Sequence, residues 1–173
     1  RVADLERPDQ AILDLDPDEA LPFSRVAEAA RRVRALLAAH GLESFVKTAG
    51  GKGLHVCVPL AAERGWEEIE ELTRAVALRL AREEPGAFTA NMAKAQRKGK
   101  VFVDYLRNVR GANAVGPYST RAREGAPVAV PLVQRYATIG RCLIEIARDD
   151  PPLEFAARFV AGGSMMMDRG HLR

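Results

Sequence analysis

Apolar and polar positions along the chain follow two periods, one near two residues and one near 3.6. Ala11-Ile12-Leu13-Asp14-Leu15 is a short apolar run closed by Asp16-Pro17, which predicts a buried strand stopping at a loop. From Phe23 to about His40, apolar residues recur at Phe23, Val26, Ala27, Ala30, Val33, Leu36 and Leu37. This helical spacing starts near Pro22 and is stopped by Gly41. Ser44 to Thr48 and Leu54 to Val58 predict two strands, and the tight turn Gly50-Gly51-Lys52-Gly53 between them makes a hairpin. Trp66 to about Glu84 predicts a second amphipathic helix, with Ile69, Leu72, Val76 and Leu80 on one face and Pro85-Gly86 ending it. A shorter helix is expected over Ala90 to Gln96, then a fourth strand over Val101 to Tyr105. Ala126 to Pro131 is expected as an extended edge piece, because its two prolines keep it out of a sheet centre. Val133 to Ala147 has helical character, and the tail from Gly162 through Met165-Met166-Met167 to Arg173 has no periodicity and is expected to be loose. The order β-α-β-β-α-(α)-β predicts a small α/β or α+β sandwich built on one sheet.

Composition narrows the partners more than the fold. At 173 residues the chain suits one domain with a proper core. Its formal charge of +3 permits a nucleotide or nucleic-acid partner without requiring one. Cys57 and Cys142 stand in apolar surroundings without CxxC spacing, which argues against a zinc site or disulfide framework and for a reducing cytoplasm. The sequence has no run of about 18 apolar residues and no secretory signal pattern, so no membrane role is expected.

Three clusters can carry chemistry. Asp14 and Asp16 lie two apart at a strand end, so they share a face, and paired carboxylates repel unless a cation sits between them. Hard divalent cations take oxygen ligands, which makes the pair a candidate metal site; a solvated strand end with an Asp-Pro turn fits the same residues. Asp104 closes the apolar run Val101-Phe102-Val103 and needs a partner, either a metal or a nearby arginine. The segment Lys47-Thr48-Ala49-Gly50-Gly51-Lys52-Gly53-Leu54-His55 combines glycines that allow close backbone approach with a lysine and a histidine. His55 is expected on the same side of its strand as Cys57. It is not a Walker A loop, since Val46 stands where the first glycine belongs and Gly53 follows Lys52; a glycine hairpin with an exposed lysine remains open. Arg97, Lys98, Lys100, Arg107, Arg110, Arg121 and Arg123 flank Asp104, as a positive rim or as a solvated surface.

Taken together the segments resemble the archaeo-eukaryotic primase superfamily, in the form found in the polymerase domains of bacterial DNA ligase D. Arg7-Pro8-Asp9 with Leu13-Asp14-Leu15-Asp16-Pro17 resembles the first motif, and Thr48 to His55 the second. Gly99-Lys100-Val101-Phe102-Val103-Asp104-Tyr105-Leu106-Arg107-Asn108 resembles the third. Tyr118-Ser119-Thr120-Arg121-Ala122, then Gly125-Ala126-Pro127-Val128 and Pro131-Leu132, resembles the stretch after it. The resemblance covers about Arg7 to about Leu132, in order.

It implies an α+β, RRM-like primase-polymerase catalytic core with a mainly antiparallel sheet packed with helices, over residues 1–160, with 161–173 as a tail. It implies a template-dependent nucleotidyltransferase that adds (ribo)nucleotides to a primer 3′ end in non-homologous end joining. By the resemblance Asp14, Asp16 and Asp104 hold two Mn²⁺ or Mg²⁺ ions, and Thr48, Lys52, His55, Arg97 and Arg121 contact the NTP or dNTP. Implied partners are DNA primer-templates or broken ends, a ligase domain and the end-binding protein Ku, in a bacterial, nucleoid-associated setting. Two rival readings are a metal-dependent phosphodiesterase and a nucleotide-binding remnant.

Three departures stand out. Ala49 replaces a usual serine, Val133-Gln134-Arg135-Tyr136 replaces a usual Trp-Asp-Glu stretch, and the chain starts about a dozen residues before Asp14. The family's residues before the first motif, with most template and 5′-phosphate contacts, are therefore expected to be missing, leaving a catalytic half that extends primers weakly on its own.

Overall fold

The computed structural model describes residues 4–132. The helix expected over 133–147 and the tail lie outside the described residues. Within them the chain runs β1 (Gln10–Pro17), α1 (Phe23–Ala39), β2 (Phe45–Thr48), β3 (Leu54–Pro59), α2 (Trp66–Glu83), β4 (Phe88–Thr89) and β5 (Val101–Asp104). Short 3₁₀ turns cover Lys94–Arg97 and Leu106–Asn108.

One five-stranded sheet has the order β2-β3-β1-β5-β4, antiparallel throughout except for the β4–β5 pair. The four strands β2-β3-β1-β5 and the two helices reproduce the RRM-like βαββαβ plan, mixed α+β as expected. Alternation in β1 divides the sheet into two faces. Ala11, Leu13 and Leu15 are buried, while Ile12, Asp14 and Asp16 between them are not. The buried set packs with Val26, Val33 and Leu37 of α1 and with Ile69, Val76 and Leu80 of α2. Each such side chain taken from water stabilises the fold by roughly 1.5–3 kcal/mol. Both helices are thereby fixed on one face, and the acidic positions are left on the other.

Two expectations need correction. Phe23 is 57% exposed; it opens α1 without joining the buried stripe, which consists of Val26, Ala29, Ala30, Val33, Leu36 and Leu37. No helix covers 90–93. The Thr89 hydroxyl accepts from the Asn91 N–H at 3.1 Å and the Asn91 carboxamide from the Ala93 N–H at 2.9 Å, local bonds that compete with helix formation. Strand β4 is an addition, two residues too short to leave a period in the sequence. The expected edge piece is present in part. Segment 128–132 runs along β2, with Thr48 N–H on Val130 O at 2.9 Å and Leu132 N–H on Val46 O at 2.8 Å.

Candidate active site on the open face of the sheet

The register sets four polar side chains in a row across adjacent strands. Lys47 on β2 lies opposite His55 on β3, His55 opposite Asp14 on β1, and Asp14 opposite Asp104 on β5. Asp14 and Asp104, ninety residues apart in sequence, become cross-strand neighbours because β1 is central and pairs on both edges.

Arg107 lies between the two carboxylates, with Nε 3.2 Å from Asp14 Oδ2 and 3.2 Å from Asp104 Oδ2. Despite this cation, the Asp14 carboxyl is pushed up from 3.8 to about 6. Burial is the main cause, and Asp104 and Asp16 push in the same direction against Arg107. His55 is 3% exposed and falls to about 4, through burial first and then the charges of Lys47, Arg107 and Arg121. Its Nε2 lies 3.4 Å from Asp14 Oδ1. With the imidazole this hard to protonate, the contact is one between a neutral ring and a carboxyl, and not a charged pair.

Asp16 shares the face of Asp14 but is exposed, and Arg97 NH1 meets it at 3.1 Å. Arg97 is held from three sides: it also donates to Met92 O at 2.7 Å and stacks 3.8 Å above the Phe102 ring. Among the described residues no three His, Cys, Asp or Glu side chains converge on one metal-sized point.

The glycine turn reaches this face through two close approaches. A Cβ on Gly53 would lie 2.6 Å from Leu15 O and 3.7 Å from Asp14 Oδ1, so only glycine lets the turn lie against β1 beside the carboxylate. Gly50 has φ +66° and a Cβ there would lie 2.5 Å from Arg121 Cγ. Arg121 is thus carried onto the turn from a distant segment, itself tied by Arg121 N–H on Pro127 O at 2.9 Å. The result is a groove of about 740 Å³ bordered by Asp14, Asp16, Ala49, Lys52, His55, Arg107, Arg121 and Arg123. Carboxylates and cations both line it, Asp14 nearly buried and Asp16 exposed.

Of the residues singled out in the sequence, Asp14, Asp16, Lys52, His55 and Arg121 line this groove, and Asp104 adjoins Asp14 through Arg107. His55 does share a face with Cys57: their cross-strand partners, Asp14 and Ile12, lie on the same side of β1. Thr48 and Arg97 do not line the groove. The Thr48 hydroxyl is engaged by Val128 O at 3.2 Å and the Val130 N–H at 2.8 Å.

Sequence reasoning gave no role to Lys47 or Asn108 and placed Arg107 only in the rim. Asn108 is 2% exposed, and its carboxamide stands in for a strand residue. It accepts from Ile12 N–H at 2.7 Å and donates to Ile12 O at 2.7 Å and Tyr105 O at 2.7 Å, continuing the β1 ladder where β5 has ended. That clip fixes the turn bearing Arg107. An asparagine just after a buried strand was the signal in the sequence.

An RRM-like sheet with paired cross-strand carboxylates beside several cations is the arrangement that the resemblance to primase-type catalytic cores implies. The chain belongs to the family described as LigD, primase-polymerase domain, whose model matches residues 1–138. It is 45% identical over 167 residues to the multifunctional non-homologous end joining protein LigD of Pseudomonas aeruginosa, covering 90% of this chain and 20% of that protein. It is 38% identical over 151 residues to the Mycobacterium tuberculosis (strain H37Rv) LigD, covering 83% and 20%. The solved polymerase domain of M. tuberculosis ligase D in complex with DNA superposes with a TM-score of 0.70 at 37% identity, over 83% of this chain and 53% of that one. The chain therefore spans about a fifth of the curated relatives and about half of the solved domain.

Proposed function

We propose that this chain is a template-dependent nucleotidyltransferase core acting in non-homologous end joining, with the groove as its site for a nucleoside triphosphate over divalent metal. The observation that carries the reading is the Asp14–Asp104 cross-strand pair, 15% and 14% exposed, beside Lys52, Arg107, Arg121 and Arg123. Two nearly buried carboxylates share one guanidinium, and burial, with smaller pushes from Asp104 and Asp16, raises the Asp14 carboxyl despite Arg107, so a divalent cation would relieve both burial and like charge. An all-oxygen donor set of this kind suits Mg²⁺ or Mn²⁺. Asp14 and Asp104 would hold the metal, with Asp16 as the further carboxylate on the same face. When bound, divalent ions supply a lowered pKa at a primer 3′-hydroxyl and charge neutralisation on the triphosphate.

The chain's own residues then divide the remaining work. Lys52, on the glycine turn, and Arg121, on the distant segment packed against that turn, bind phosphate oxygens by charge-assisted hydrogen bonds. His55 stays neutral and offers a hydrogen bond without adding charge. Arg97 and Thr48 act from outside the groove, by holding Asp16 and the β2 edge. DNA primer-templates or broken ends are the macromolecular substrate, a ligase domain and an end-binding Ku protein the partners, and the cytoplasm with its nucleoid the setting. Among the described residues no helix is long and apolar enough to cross a membrane.

The deciding experiment is calorimetric titration with NTP in the presence of Mn²⁺, alongside incorporation of labelled ribonucleotide onto a primer-template. Asp104→Ala should abolish the Mn²⁺ dependence, and Lys52→Ala or Arg121→Ala should weaken NTP binding by about 1.5–3 kcal/mol, the worth of a charged hydrogen bond. Equal affinity for the nucleoside monophosphate and the triphosphate would refute the polyphosphate groove.

A further inference from the structure

Lys47 has no part in the reading above, yet it is the largest fully buried side chain among the described residues, 1% exposed. A lysine so enclosed needs acceptors, and the fold supplies two. Its Nζ lies 2.9 Å from His55 Nδ1, and it donates to the carbonyl of Val115, a residue on the groove wall. On the far side of the ring, His55 Nε2 lies 3.4 Å from Asp14 Oδ1. The order is therefore ammonium, imidazole, carboxyl, across three adjacent strands.

Donor and acceptor bookkeeping then fixes the ring. A lysine ammonium has three donors and no acceptor, so the nitrogen facing it must accept. A neutral imidazole has one N–H, which is left on the other nitrogen. We infer that Lys47 is a positioning residue: by donating to Nδ1 it locks His55 in the Nε2–H tautomer, so that the ring presents a donor, and never a bare lone pair, to the groove. An anionic phosphate oxygen is bound by that donor and repelled by the alternative lone pair. The 3.4 Å separation from Asp14 is long for a hydrogen bond, which leaves the Nε2–H free to turn to a ligand. Through Val115 the same ammonium ties the groove wall to the ring, so the wall and the donor move together. The role of this donor toward phosphate rests on the groove's assignment as a polyphosphate site; the tautomer itself does not.

The test separates the two. In ¹⁵N-labelled chain near neutral pH, long-range ¹H–¹⁵N spectra of the three histidines report each ring's tautomer. His55 should show a pyrrole-type Nε2 and a pyridine-type Nδ1 without any ligand present. In Lys47→Met, which keeps the side chain's length, the His55 ring should shift to a mixture of tautomers. Wild-type His55 protonated on Nδ1, or an unchanged ring in Lys47→Met, overturns the inference. With ATP and Mn²⁺, Lys47→Met should bind about 3–10-fold more weakly, the worth of one hydrogen bond. Adding Lys47→Met to His55→Gln should cost nothing further, and additive losses would overturn the coupling. If ATP does not bind the wild-type chain, the proposed function fails while the spectra still decide the role of Lys47.

Discussion

Asp14 and His55 face one another with displaced titrations of opposite kind, and removing either should expose the other as a pH-dependent stability. The Asp14 carboxyl rises from 3.8 to about 6 on folding. Between those values the folded state holds a proton that the unfolded state has lost, so stability falls as pH rises and is level above about 6. His55 drops from 6.5 to about 4, so over nearly the same window the unfolded state holds the proton and stability rises with pH. At about 1.4 kcal/mol per pH unit, each effect integrates to on the order of 3 kcal/mol. In the wild-type chain the two oppose and largely cancel.

Asp14→Asn removes the falling limb and keeps the shape; Arg107 retains Asp104 at 3.2 Å. His55→Gln removes the rising limb. Urea unfolding of the three proteins between about pH 4.5 and 6.5, in chelator to exclude divalent metal, gives each stability by linear extrapolation. Relative to wild type, the Asn variant should gain stability with rising pH and the Gln variant should lose it, each by roughly 2–3 kcal/mol across the window. Other titrating groups are common to all three proteins and drop out of the differences. Difference slopes of the same sign, or both flat, would refute the placement of these groups in one buried pair.

Gly53→Ala forces a methyl to 2.6 Å from Leu15 O, so it should destabilise the chain by about 1–3 kcal/mol in urea unfolding, as overpacking does. Asn108→Ala leaves the Ile12 N–H and C=O without their partner and should cost roughly 2–4 kcal/mol; a loss below about 0.5 kcal/mol would show that the clip is dispensable. Ala49→Ser restores a hydroxyl beside the turn and should tighten NTP binding in Mn²⁺ by roughly 0.5–1.5 kcal/mol, read by calorimetry, with stability little changed.

The sequence by itself determined most of the elements and named the candidate site residues. The helical periods of 23–39 and 66–83, the alternation through β1 and the glycine hairpin are local patterns, and local sterics and burial are enough to set them. The motifs named candidate acids and cations through their order along the chain, since each cluster alone fits a solvated strand end or a plain glycine hairpin as well. Only the tertiary structure decided which of these meet. Asp14 faces Asp104 and His55 because β1 is central, a property of strand order that no local period encodes. Thr48, which opens the second motif, and Arg97, just before the third, turn to the β2 edge and to Asp16, since strand alternation and the stacking on Phe102 direct their side chains. Lys47, a surface residue by composition, is buried because the segment 128–132 and the Val115 loop close over β2. A charge becomes a buried, directional donor only when distant chain removes its water, and that event has no signature in the residues on either side of it.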